Sequence, residues 1–258
     1  MFTLHGSRDF KMSYRKLSAL LMFALILQVQ SLSAFRAVIG FMQQRLQSDP
    51  YWSNVSLLLR CENNTITEYK SHSYTNYAVT NSVLQSKFGL ESCSFDGSTS
   101  YLAFGDQSDF NVGSGEFTVE AWVYDVSGAT NGYVATASRF NGAGNGFFIG
   151  HDYSITGDQQ CFSGCDQITP SSFITLNSWH HVAYVKSGGT NYYYIDGVSM
   201  GSITSTTSAT WGNLVIGRLS PDQNSYYFNG YMDEVRITKG VARYTSNFTP
   251  PTLQFPNQ

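Results

Sequence analysis

The stretch Tyr226-Tyr-Phe-Asn-Gly-Tyr-Met-Asp-Glu-Val-Arg-Ile-Thr-Lys-Gly-Val-Ala-Arg-Tyr-Thr-Ser-Asn-Phe-Thr-Pro-Pro251 decides the fold. Gly230 opens a short predicted strand in which Asp233 and Glu234 sit among Val235 and Ile237. A buried strand pays heavily for two adjacent carboxylates, so each needs a partner. Neighbouring strand residues point to opposite faces, so these two side chains are expected to diverge. A turn follows at Lys239-Gly240, and Pro250-Pro251 cannot continue a central strand.

Working outward, the chain beyond Pro50 reads as many short strands. Phe117-Thr-Val-Glu-Ala-Trp-Val-Tyr124 alternates, with Phe117, Val119, Ala121 and Val123 on one face and Thr118, Glu120, Trp122 and Tyr124 on the other. Gly188-Gly189 separates two strand-like runs, and Asp196-Gly197 is a hairpin turn into Val198–Ile203. With no helical period after residue 50, these signals predict an all-β, two-sheet antiparallel sandwich of jelly-roll type. Residues 125–178 are rich in Gly, Asn and Ser and are expected to be long connections at one end of it. Trp122, Trp179 and Phe228 are expected in the core.

Composition narrows the function. Charged residues are 13% of the 258, against the usual ~25% of soluble domains. Aromatics are 15%. Low charge with abundant Tyr, Ser, Thr and Asn suits an extracellular sandwich better than a cytosolic enzyme. The net charge of −3 and the lack of a basic stripe argue against a nucleic-acid partner.

The ordered blocks Val55–Leu59, Ser86-Lys-Phe-Gly89, Ser94-Phe-Asp-Gly97, Tyr101-Leu102, Asp109-Phe110, Gly115–Tyr124, Ser178-Trp-His-His-Val-Ala-Tyr-Val185, Tyr194-Ile-Asp-Gly197 and the quoted stretch resemble the laminin-G-like jelly-roll family. This is the concanavalin A-like lectin/glucanase superfamily, in the version common in phage tail and fibre proteins and marine microbial surface proteins. The resemblance covers about residues 50–256. It implies a fold more than a function, because the fold hosts unrelated activities. It also implies a possible structural Ca²⁺, with Asp96 and Asp233 at family positions that can approach each other. The alternatives are a turn cap for Asp96 and a salt bridge to Arg236, Arg243 or Lys239 for Asp233.

Residues 1–49 differ from the jelly-roll domain at 50–258. Lys11, Arg15 and Lys16 precede the apolar run Leu17–Leu27, which is too short for a confident membrane span. With Ser31-Leu-Ser33 this suits a secretory signal. The competing readings are a particle-docking helix, with Phe35–Leu46 helically spaced, and a misassigned start. A membrane enters only through this segment if it stays uncleaved. The protein is therefore expected to be secreted or virion-associated. Four cysteines allow three pairings. Cys61–Cys93 and the local pair Cys161–Cys165 are the expected bridges after export; free thiols in a reducing compartment are the alternative. His180 and His181 point to opposite faces and cannot ligate one ion together.

Chemistry is sparse. A retaining glycosidase needs two carboxylates about 5–5.5 Å apart, and strand 117–124 offers only Glu120. No Gly-x-Ser-x-Gly elbow or phosphate loop occurs. The expected function is non-enzymatic: recognition of a carbohydrate or another cell-surface ligand, with a structural role beside other virion proteins as the alternative. Candidate ligand contacts are loop residues: Tyr133, Arg139, Asn141, Asn145, Asp152, Tyr153 and Tyr226. Glu120 is expected to orient a sugar hydroxyl beside Trp122.

Overall fold

The computed structural model describes residues 48–126, 133–137, 147–150, 155–156, 167–168, 174–204, 208, 213–219 and 226–258. Residues Ser48–Gln258 form one unit. Its strands are β1 (Val55–Glu62), β2 (Thr65–Glu68), β3 (Thr75–Tyr77), β4 (Thr80–Ser82), β5 (Ser92–Asp96), β6 (Tyr101–Asp106), β7 (Phe117–Asp125), β8 (Tyr133–Ala137), β9 (Phe147–Gly150), β10 (Ile155–Thr156), β11 (Gln167–Ile168), β12 (Trp179–Ser187), β13 (Thr190–Ile195), β14 (Val198–Thr204), β15 (Asn213–Ile216) and β16 (Asn229–Lys239).

The large sheet runs β14-β13-β12-β7-β16-β1-β2, and the small sheet runs β3-β6-β15-β8-β9. Strand β16, predicted short, has 11 residues. Its first half pairs with β5 and its second half with β1. The handover falls on the acidic pair. Between Asp233, opposite Trp122, and Arg236, opposite Glu120, two residues of β16 face one of β7. This is a β-bulge, and Glu234 carries its positive φ of 55°.

The bulge resets the alternation. Met232, Val235 and Ile237 all enter the core, where Asp233 and Glu234 do not. The expected divergence of the two carboxylates is corrected: the extra residue keeps both out of the core between the sheets. That core joins Val119, Ala121, Val123, Val182 and Tyr184 of the large sheet to Leu102, Phe104, Leu214 and Ile216 of the small one. Each such side chain contributes roughly 1.5–3 kcal/mol. The hairpin turns at Gly188-Gly189 and Asp196-Gly197 form as read, with positive φ at all four residues.

The predicted long connection at 125–178 contains strands. Tyr133 begins β8, so it is not the loop-tip residue the sequence suggested.

The large sheet's outer face is half covered. The chain after β16 folds back over it, so that Tyr244 and Phe248 pack on Ala183, Val185 and Tyr194. Phe255 packs on Val55 and Leu58. The two ends of this unit are tied, with Asp49 N–H donating to Gln258 O at 2.9 Å. Phe248 N–H donates to Gly197 O at 2.9 Å, and a Cβ on Gly197 would sit 1.9 Å from Phe248 O.

The Cys61–Cys93 bridge forms, with Cα atoms 5.0 Å apart, and ties β1 to β5 along β16. Cys161 and Cys165 lie outside the described residues.

Candidate functional site

The outer face of the large sheet can be followed as rows of cross-strand neighbours. In the row through Glu120, opposite Arg236, the face is sealed. Arg236 donates to Glu120 Oε1 through Nε (2.9 Å) and Nη2 (2.8 Å), and Tyr244 OH donates to Oε2 (2.8 Å). His181 Nε2 lies 3.1 Å from the same oxygen. Burial opposes ionisation of Glu120, but Arg236, His181 and Arg243 hold its carboxyl well below the usual range. Arg236 and Arg243 also bind Asp49, at 3.1 and 2.7 Å.

Glu120 is fully buried and committed to these partners. The expectation that it orients a sugar hydroxyl is therefore corrected, because no outside ligand reaches it.

The next row holds Trp122, between His181 and Asp233. The β4–β5 loop closes over it. Phe88 meets Trp122 edge-on, and Lys87 Nζ lies 3.7 Å from its ring centroid. Trp122 is buried as expected, but on this outer face rather than between the sheets.

One row further, the face opens. Trp179 of β12 stands opposite Tyr124 of β7, which stands opposite Tyr231 of β16. Ser94 and Thr80 extend the row across β5 and β4. The ring centroids are 5.6 Å apart for Tyr124–Trp179 and 5.8 Å for Tyr124–Tyr231. All three rings are half-exposed, so Trp179 is corrected from core to surface.

The turn before Trp179 is held by His180. Thr175 N–H donates to His180 Nε2 (3.2 Å), which leaves the ring proton on Nδ1 to be donated to Asp196 Oδ2 at 2.6 Å. Burial works against the Asp196 carboxylate, yet the bonds from His180 and from His181 N–H keep it below its ordinary value. As expected, His180 and His181 do not converge.

The rings meet edge to face, with interplanar angles of 61° and 75°, so they form a stepped row rather than one flat surface, a row that offers apolar ring surface and tyrosine hydroxyls to a sugar. The indole N–H groups of Trp122 and Trp179 are shielded from solvent and make no hydrogen bond among the described residues. A buried donor left unpaired costs about 1–3 kcal/mol.

The other expected site residues fall elsewhere. Tyr226 is 40% exposed at a positive φ of 61°, ahead of β16 and outside the row. Arg139, Asn141, Asn145, Asp152 and Tyr153 lie outside the described residues, and so does the side chain of Tyr133.

Asp96 and Asp233 do not fit a shared calcium ion. Asp96 stands opposite Asn229, four residues along β16 from Asp233, or roughly 13 Å of strand. Asp96 Oδ1 accepts the N–H groups of Ser98, Thr99 and Ser100, the turn-cap alternative. Asp233 accepts Phe88 N–H at 3.0 Å and forms none of the expected salt bridges; Glu234 pairs instead with Arg60. Among the described residues no group of three or more His, Cys, Asp or Glu side chains is arranged to hold a metal.

Sequence reasoning missed Tyr124, Trp179, Tyr231 and Lys87 as site residues. The usable signal was the period-2 placement of Tyr124 on the face away from the core.

A family profile described as the concanavalin A-like lectin/glucanases superfamily matches residues 96–243. No curated protein matches the chain. Among solved structures, domain 4 of AbnA, a GH43 extracellular arabinanase from Geobacillus stearothermophilus in complex with arabinotriose, has a TM-score of 0.53 at 18% identity. That match covers 73% of this chain and 94% of the other. The binding domain of botulinum neurotoxin DC in complex with SialylT has a TM-score of 0.53 at 14% identity, over 74% of this chain and 49% of that one. The binding domain of serotype D/C VPI 5993 has a TM-score of 0.55 at 14% identity, over 74% and 50%. The chain thus spans about half the length of the two toxin domains. At these identities the likeness shows the fold alone.

Proposed function

We propose that this chain, which belongs to the concanavalin A-like lectin/glucanase superfamily, is a non-enzymatic recognition module that binds a glycan on its open aromatic row. The observation that carries this is the cross-strand line Trp179–Tyr124–Tyr231, half-buried beside the rows that the tail and the β4–β5 loop cover. The arabinotriose complex of the similar arabinanase domain lends support, since a fold of this layering there holds an oligosaccharide. The Cys61–Cys93 bridge favours work in an oxidising space, outside a cell or on a particle surface. The non-enzymatic half of the reading rests on Glu120, the one carboxylate of strand β7 before its terminal Asp125, which is sealed beneath Tyr244.

Titration calorimetry against a panel of oligosaccharides tests the proposal. Saturable binding is expected between micromolar and millimolar Kd, about −8 to −4 kcal/mol. Tyr124→Ala or Tyr231→Ala weakens it about tenfold or more, about 1.4 kcal/mol, with the melting temperature nearly unchanged. Absence of saturable binding across the panel overturns the recognition reading in favour of an assembly role. Release of reducing ends overturns the non-enzymatic part.

A further inference from the structure

We infer that the glycan taken by the aromatic row carries an anionic substituent, a carboxylate or a sulfate ester, and that Lys87 receives it. The inference rests on the proposed binding role of the row and adds its charge specificity.

The β4–β5 loop, residues 83–91, leaves and rejoins the sheet at the pair Ser82–Ser92. Its middle is pinned. Phe88 N–H donates to Asp233 Oδ2 at 3.0 Å, Ser92 Oγ donates to Gln85 O at 2.6 Å, and the Phe88 ring meets Trp122 edge-on. Lys87 is thereby held with Nζ 3.7 Å from the Trp122 centroid. Trp122 is the next residue after Tyr124 on this face of β7, roughly 7 Å away along the strand. The ammonium therefore stands at the edge of the row, within reach of a substituent on a sugar stacked there.

The surrounding acids are otherwise engaged. Glu120 is bound by Arg236 and Glu234 by Arg60. Asp196 accepts from His180 and from His181 N–H, and acts on Lys87 only through its field. Asp233, beside Trp122, is kept largely protonated by burial and by Glu234. Among the described residues no carboxylate forms an ion pair with Lys87. Burial pushes the Lys87 ammonium below its ordinary value, with Asp196 partly offsetting this. A ring beneath a cation attracts it but supplies no counter-ion. An anionic ligand supplies one.

The test uses three matched trisaccharides of one backbone: neutral, carboxylated and sulfated. For the wild-type chain at low salt, at least one acidic ligand should bind about tenfold or more tightly than the neutral one, and the advantage should shrink with added salt. Whichever acidic arm binds names the anion. Lys87→Gln should bring the acidic ligands to the affinity that the same variant shows for the neutral one. Lys87→Arg should keep the advantage, which also guards against a folding defect in the glutamine variant. Equal affinity for all three ligands, or an advantage that survives Lys87→Gln, overturns the inference. If Tyr124→Ala leaves every affinity unchanged, the row is not the binding surface and the underlying reading fails with it.

Discussion

Asp233 and Glu234 share one bulge and have different surroundings. Burial pushes the Glu234 carboxyl above its ordinary value, and Arg60 and Phe255 N–H restrain the rise. Among the described residues Asp233 has no cation in contact. Burial first, then Glu234 and Glu62, push it up to about 8 against the pull of Phe88 N–H and Arg60. An acid whose folded pKa is raised contributes stability that is fully present below its unfolded value, near 3.8, and lost as pH climbs through about 8. Urea unfolding between pH 5 and 9 should therefore show stability falling by on the order of a few kcal/mol across that window. Asp233→Asn should flatten the curve. A wild-type profile already flat in this range would contradict the assignment. Asp49, by contrast, has cations in contact. It is buried against Arg236 and Arg243, and Asp49→Ala leaves two guanidinium groups sharing Glu120. The expected loss is about 3 kcal/mol by chemical denaturation. A change within ~0.5 kcal/mol would show the clasp to be a surface effect.

Two elements decide what is covered on the large sheet. The tail after β16 closes the Glu120 row, and its anchor is Phe255, 2% exposed, with Arg236 3.6 Å from its ring centroid. Phe255→Ala should cost about 3–5 kcal/mol, lowering the melting temperature by roughly 10 °C for a unit of this size. The Cys61–Cys93 bridge fixes β5 beside β1, and it closes a loop of 32 residues. Replacing both cysteines with alanine should cost roughly 3–4 kcal/mol if loop entropy dominates. An unchanged melting temperature on reduction would refute that. These elements also mark how far the chain could be read beforehand. The alternation of Phe117–Tyr124 and the glycine turns were local, and they were legible. So was the Cys61–Cys93 pair, from count and position. The bulge was not, because one extra residue in β16 leaves no local trace. Trp179 was misjudged for a related reason: a tryptophan opening an apolar strand reads as core, and only the tail's path shows which rows stay open. Asp96 looked like a metal ligand because Asp-Gly turns and cation sites use the same oxygen-rich residues; its partners at Ser98–Ser100 show the turn.

At the scale of the molecule, one sheet face is divided by its own chain terminus. The covered part holds the buried charges, and the open part holds the aromatic row. That division motivates the proposed recognition role: Glu120 is inside and the aromatic row is open. The most direct measurement is a proton–nitrogen correlation spectrum of the tryptophan indoles during titration with an oligosaccharide that the chain binds, with peaks assigned by single Trp→Phe changes. The account predicts that Trp179 moves with saturation and Trp122 moves with it, while Trp52, packed with Val55 and Leu58 under Phe255, stays in place. A saturable shift that leaves Trp179 and Trp122 unmoved would place the ligand elsewhere and contradict the account.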